Sequence, residues 1–152
     1  MPLSVRIQAE PFDAGGEVAR LSETLSGAAG AIVSFTGLCR DEGGRLAALE
    51  IEHFPGMAED EIRRVAEEAA RRWPLHGGAV IHRHGMVRPG EGIVLVVAVS
   101  AHRSAAFEAA SFLMDYLKTR APFWKREHGV DGRAGAWVEA TSADDAAAER
   151  WA

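Results

Sequence analysis

The sequence predicts an α+β fold built as one domain, and three observations carry that prediction. Helical and strand-like periodicities follow one another in the order helix, strands, helix, strands, helix, strand. The run 93–99 (Ile-Val-Leu-Val-Val-Ala-Val) is apolar at every position, as a central strand covered on both faces must be. A length of 152 residues, 47% hydrophobic and 26% charged, suits one globular unit with one substantial core.

The elements follow in order. Val18, Leu21 and Leu25 recur at helical spacing and predict a short amphipathic helix over 17–25. Gly30 opens a strand-like run over 31–35, and the glycine- and charge-rich stretch 37–44 reads as a mobile loop. Leu49, Ile51 and His53 alternate with Glu50 and Glu52, the period of a half-buried strand. After a turn at Pro55-Gly56, Ile62, Val65, Ala66, Ala69 and Trp73 mark the strongest helix, which Pro74 ends. Ala79-Val80-Ile81 is a second strand, and the turn at 88–92 leads into 93–99. A helix over 105–118 is apolar around much of its circumference, so it is buried or shared with a partner. Residues 136–139 read as a late strand, and 141–152 as an acidic tail, helical or flexible.

The bulk composition excludes several classes. A formal net charge of −5 argues against a nucleic-acid binder. The apolar run 93–99 is far too short to span a bilayer, and the N-terminus lacks the apolar core of a signal peptide. A cytoplasmic protein is expected. Cys39 is the single cysteine, so no internal disulfide can form, and a small semi-buried role is expected for it.

Against this acidic background stands Lys118-Thr119-Arg120-Ala121-Pro122-Phe123-Trp124-Lys125-Arg126, with four cations, two large aromatics and no acid in nine residues. It reads as a site for an anion. Pro122 removes a backbone donor and disfavours helix at Ala121, so the helix should stop near Arg120 and the chain fold back. A lysine crowded by other cations can act as acid or base, nucleophile or anion anchor. Cations that merely complement a helix C-terminus would explain Lys118 and Arg120, but Lys125 and Arg126 less well. Phe123 and Trp124 are expected to hold the turn more than to touch a ligand.

A second candidate lies at 100–104 (Ser-Ala-His-Arg-Ser), where a buried strand meets a helix start. Such a junction attracts anions, Ser100 or Ser104 can cap it, and His102 and Arg103 add charge and donors. Arg40, in the glycine-flanked loop, can reach a phosphate. His82 and His84 share one strand face but lack a third ligand, so a structural role is expected and no metal site.

Five blocks occur in order between about residue 30 and residue 139. They are Phe35-Thr36-Gly37 with Arg40; Glu52-His53-Phe54-Pro55-Gly56-Met57; Ile81-His82-Arg83 with Gly85; Ser100-Ala101-His102-Arg103; and the run from Met114 through Lys118 and Lys125 to Glu127. Together they closely resemble the large, catalytic subunit of molybdopterin synthase. The fold then expected is a mixed, mainly antiparallel sheet with packed helices, of α/β hammerhead-like type. The resemblance implies sulfur transfer from the C-terminal thiocarboxylate of a small ubiquitin-like subunit to cyclic pyranopterin monophosphate, giving the molybdopterin dithiolene. It implies a central homodimer with a small subunit at each end, and no resident cofactor or metal. By position Lys118 and Lys125 match the catalytic lysines. Arg40, His102, Arg103, Arg126 and Glu127 match substrate-pocket positions, with Phe35 and Met114 in matching blocks nearby; Leu38 and Cys39, beside Arg40, are taken as substrate-binding candidates although Cys39 belongs to no such pattern. Leu38 stands where the family often has a basic residue, which weakens the loop's expected share of substrate binding. The rival reading is a non-catalytic anion-binding or assembly module that uses the 118–126 cluster.

Overall fold

The structure, a computed structural model, describes residues 2–120, 122–138 and 142–151. Its elements are β1 (Leu3–Gln8), α1 (Ala14–Thr24), β2 (Ala31–Leu38), β3 (Leu46–His53), α2 (Met57–Arg72), β4 (Leu75–Arg83), β5 (Gly85–Val87), β6 (Gly92–Ser100), α3 (Arg103–Thr119), β7 (Phe123–Gly129) and α4 (Ser142–Glu149). One sheet has the order β1-β4-β6-β2 and a smaller one the order β5-β3-β7. Among the described residues only β1 and β4 pair in parallel, and every other ladder is antiparallel. The α+β class and the mainly antiparallel sheet are therefore as expected.

The apolar run 93–99 forms the heart of β6, hydrogen-bonded to β4 on one side and β2 on the other. Both of its faces are covered. Leu21 and Val18 of α1 pack with Leu95, Val97 and Val99. Val65, Ala66 and Ala69 of α2, with Ala109 and Leu113 of α3, pack with Val94, Val96 and Ala98. Each such side chain contributes roughly 1.5–3 kcal/mol when fully buried, which is why this strand carries no polar residue before Ser100. Gly78 of β4 lets the two central strands approach, since a Cβ there would lie 2.2 Å from the Val97 carbonyl oxygen.

α2 starts at Gly56, whose φ of 86° suits a residue without a side chain, and the Glu59 carboxylate accepts from the Gly56 N–H at 2.9 Å. It stops at Trp73, before Pro74, as expected. α3 runs from Arg103 to Thr119 with Arg120 as its C-cap, so Pro122 has the predicted effect. The expected serine cap is not formed. His102 occupies the N-cap without a side-chain bond, and the Ser100 hydroxyl donates to the Pro74 carbonyl at 2.9 Å.

Several elements differ from expectation. β1, β5 and β7 lie outside the elements the sequence predicts, and the fold-back after Pro122 is a strand paired with β3. The late strand at 136–139 is reduced to an isolated bridge between Val138 and Lys125, with a second between Ala134 and His128; Glu139 lies outside the described residues. The loop expected at 37–44 begins later, because Gly37 and Leu38 belong to β2. Its start is tethered: the Cys39 N–H donates to Glu91 and its carbonyl accepts from Gly90. The acidic tail contains α4, and beyond it Arg150 and Trp151 bond to Asp115 of α3. No helix among the described residues is long and apolar enough to cross a membrane.

Candidate active site

Strand register shows which candidates share an end of the molecule. Leu38, at the end of β2, faces Gly92, and His82, near the end of β4, faces Val94. The loop bearing Arg40 and the buried ring of His82 therefore lie at the end of the main sheet where β6 begins. α3 leaves the opposite end, after Ser100, and returns antiparallel over the sheet, so its last turn brings Lys118 back to this end. β7 enters the same region because Phe123 stacks face to face on His82, with centroids 3.9 Å apart and 13° between planes.

The His82 ring feels the charge of both lysines. It is 2% exposed, and its Nδ1 donates to the Arg83 carbonyl at 2.8 Å. That carbonyl can only accept, which fixes the neutral tautomer with the lone pair on Nε2. Burial, then the charge of Lys125 and that of Lys118, hold its pKa down to about 3. Both cations thus act on one buried imidazole although Pro122 separates them in sequence. His53 stands nearby, 4.7 Å from His84 and 6.0 Å from Phe123 between ring centroids. Burial, and then the neighbouring His84, lower its pKa as well.

The pleat of β7 sorts its side chains. Directly paired residues share a face of the sheet. Lys125 pairs with Ile51, and Phe123 with His53, on the side where Ile51 is fully buried. Glu127 pairs with Leu49 on that side, and its carboxylate accepts from Arg45 at 3.1 Å. Arg126 pairs with Glu50 on the other face. There it donates to the Glu50 carboxylate at 3.1 Å and lies over the Trp137 ring at 4.5 Å. His128 reaches the same carboxylate oxygen at 2.8 Å. Hydrogen bonds from His128 and then Arg126 hold the Glu50 carboxyl below the usual range. Val138 fastens the lysine from behind: the Lys125 N–H donates to its carbonyl at 3.1 Å and the Val138 N–H returns a bond at 2.7 Å.

The remaining candidates divide. Phe35, 43% exposed, lies on edge strand β2, two residues from Val33 and so on the same face, toward α3. Met114 precedes Lys118 by one helical turn and is half-buried against the core. Leu38 is exposed, and Arg40 pairs with Glu42 at 3.4 Å at the surface. The Cys39 thiol faces inward, 4% exposed, and burial raises its pKa, while its backbone N–H and carbonyl are engaged by Glu91 and Gly90. His102 and Arg103 do not join this group. They start α3 and Lys118 ends it, which at 1.5 Å per residue puts them about 22 Å apart along the axis.

The residues missed from sequence are those that build the platform under the lysines. His53 and His82 lie in motif blocks, but no periodicity reveals that both rings meet Phe123. His84, expected on the face of His82, falls in the bend after β4 instead, where its N–H bonds to Gln8 and its ring turns to His53.

A buried imidazole under the charge of two lysines, at one end of the main sheet, suits an enzyme that handles an anionic substrate. Residues 7–120 match the family model described as MoaE protein. The chain is 65% identical over 148 residues to the molybdopterin synthase catalytic subunit of Mesorhizobium japonicum, covering 97% of this chain and 92% of that one. It is 50% identical to the same subunit of Escherichia coli, covering 93% of each chain. Among solved structures, the molybdopterin biosynthesis MoaE protein of Burkholderia ambifaria superposes with a TM-score of 0.83 at 46% identity, covering 98% of this chain and 97% of that one. Molybdopterin synthase from Staphylococcus aureus gives 0.75 at 29%, covering 87% and 94%. The chain belongs to the MoaE family, the catalytic subunits of molybdopterin synthase.

Proposed function

We propose that Lys118 and Lys125 form the catalytic centre of a molybdopterin synthase that acts in the cytoplasm. In this reading it takes sulfur from the C-terminal thiocarboxylate of a small ubiquitin-like subunit and places it on cyclic pyranopterin monophosphate. The observation that carries the reading is that Phe123, on the strand that bears Lys125, stacks on the buried ring of His82 at the end of the sheet to which α3 returns Lys118, so that both lysine charges bear on that ring. The carrier's sulfur is itself the nucleophile, so the buried Cys39 is not needed as one. A carbon–sulfur bond forms to the pterin side chain as a phosphate-ester oxygen leaves with its electron pair. Water then cleaves the acyl–sulfur bond, returning the carrier as a carboxylate and leaving sulfur on the pterin. In a second transfer a further thiocarboxylate attacks the neighbouring side-chain carbon, whose oxygen leaves as water, and hydrolysis of the new acyl–sulfur bond returns the second carrier as a carboxylate and completes the dithiolene.

Lys118, exposed at the helix end, moves the protons of these steps, and Lys125 anchors the substrate and balances developing negative charge. Leu38, Cys39 and Arg40 border the same end, with the Cys39 backbone holding the start of the loop in place. Phe35 and Met114 form its apolar margin. Glu127 and Arg126 belong to the lysine strand, Arg126 acting through Glu50 and Trp137 on the far face. His102 and Arg103, at the other end of α3, complete the pocket of a second copy in a homodimer, because they cannot reach the lysines of their own chain. Reconstitution with the thiocarboxylated small subunit and the cyclic precursor tests this assignment. The wild-type protein is expected to yield dithiolene product, and its failure with an authentic partner would overturn the assignment.

A further inference from the structure

Tyr116 and Arg120 are two residues to either side of Lys118, and so sit about 200° from it around α3. On that far side, between α2 and α3, is a cavity of about 260 Å³. α2 contributes Arg64, Glu68 and Arg72 to its lining, four residues apart and so on one stripe. α3 contributes Phe112, Tyr116 and Arg120 at the same spacing, and Trp151 closes one end.

Three guanidinium groups therefore face one carboxylate in this lining, in a chain whose formal net charge is −5. Glu68 is occupied by Arg71 and Arg72, and Arg64 is held by Glu61 near the Tyr116 hydroxyl. Arg120 is different: among the described residues its guanidinium has neither an ion pair nor a hydrogen bond. An unpaired arginine beside a second one, whose Nε and Nη2 are taken by Glu61 but whose Nη1 is left over, invites an anion that accepts from both, and phosphate does so best. The walls add a preference. Phe112 lies under the Arg72 guanidinium at 4.9 Å and meets Trp151 edge-on at 5.8 Å, and Tyr116 extends this aromatic lining. Such surfaces favour a flat ring. The volume lies just below the ~300–1,000 Å³ usual for drug-sized ligands, enough for one ring system and one phosphate but not for a dinucleotide.

We propose that this cavity is a second ligand site, for a monophosphate carried on a flat heteroaromatic ring. Arg64 and Arg120 hold the phosphate, and Phe112, Tyr116 and Trp151 hold the ring. The same chemistry is offered by a free nucleoside monophosphate and by a pterin monophosphate, and the site does not depend on the roles given to the lysines.

Calorimetric titration of the full chain with adenosine 5′-monophosphate, a pterin monophosphate, inorganic phosphate and adenosine tests the proposal. Saturable binding is expected for at least one ring-bearing monophosphate, tighter than for phosphate or adenosine, and the tighter of the two monophosphates identifies the source. The R64Q/R120Q double variant, altered only at exposed positions, should keep the wild-type melting profile and bind about tenfold more weakly, the worth of one charge-assisted hydrogen bond. Lys118→Ala and Lys125→Ala should bind as the wild type does. Absence of saturable binding, or unchanged affinity in R64Q/R120Q, would overturn the proposal. So would binding that disappears with the lysines, since the ligand would then lie in their site, or phosphate bound as tightly as the ring-bearing ligands.

Discussion

At the scale of single residues, the charges of Lys118 and Lys125 bear on one buried ring, that of His82, from different elements, one at the end of a helix and the other on a strand. Lys118→Ala should abolish dithiolene formation while leaving the fold and small-subunit binding intact, which a product assay beside a pull-down would check. Lys125→Ala should show a large but incomplete loss; full activity would remove that residue from the site. His82 makes a separate prediction about pH. Its folded pKa, about 3, lies below the ordinary histidine value, so between about pH 6.5 and 3 the unfolded chain binds a proton that the native state refuses. Stability should fall with decreasing pH across that window, by up to about 1.4 kcal/mol per pH unit from this group. His82→Phe keeps an aromatic against Phe123 and should flatten the dependence in urea titrations; an unchanged slope would assign it elsewhere. The lysines and Arg40 were legible in the sequence because charge clustering and motif order are linear properties. The His82–Phe123 stack was not, since it joins residues 41 positions apart through the fold alone.

At the scale of elements, segments with a clear apolar period, even the short helix near 17–25 and the charged strand at 49–53, are legible in the sequence, while β1, β5 and β7 are not. α2 and β6 have many apolar positions at one period, so each announces its own type. β7 reads Phe-Trp-Lys-Arg-Glu-His-Gly, with one buried residue, and its charges are matched by Glu50 and Arg45 across the sheet rather than within the strand. β5 has three residues, too few for any period. β1 does alternate Leu3, Val5 and Ile7 with polar residues, but six positions at a chain end carry little weight alone. The close approach of β4 to β6 gives a test at this scale. Gly78→Ala would drive a methyl group into the Val97 carbonyl, and a loss of roughly 2–4 kcal/mol is expected in chemical denaturation. A loss below about 0.5 kcal/mol, the range of an ordinary surface change, would mean that the strands separate freely there.

At the scale of the whole molecule, the length of α3 decides the architecture of the proposed site. Lysines at one end and His102 with Arg103 at the other cannot serve one substrate within one chain. A second copy must supply the missing pair if both sets act. A mixed dimer tests this directly. Lys118→Ala and Arg103→Ala are each expected to be nearly inactive alone in the product assay with thiocarboxylated small subunit. Unfolded and refolded together, they should pair at random, so half the dimers are mixed and each mixed dimer holds one intact site. Activity should return to about one quarter of the wild type. Recovery no greater than the sum of the two separate variants would contradict a site shared between copies.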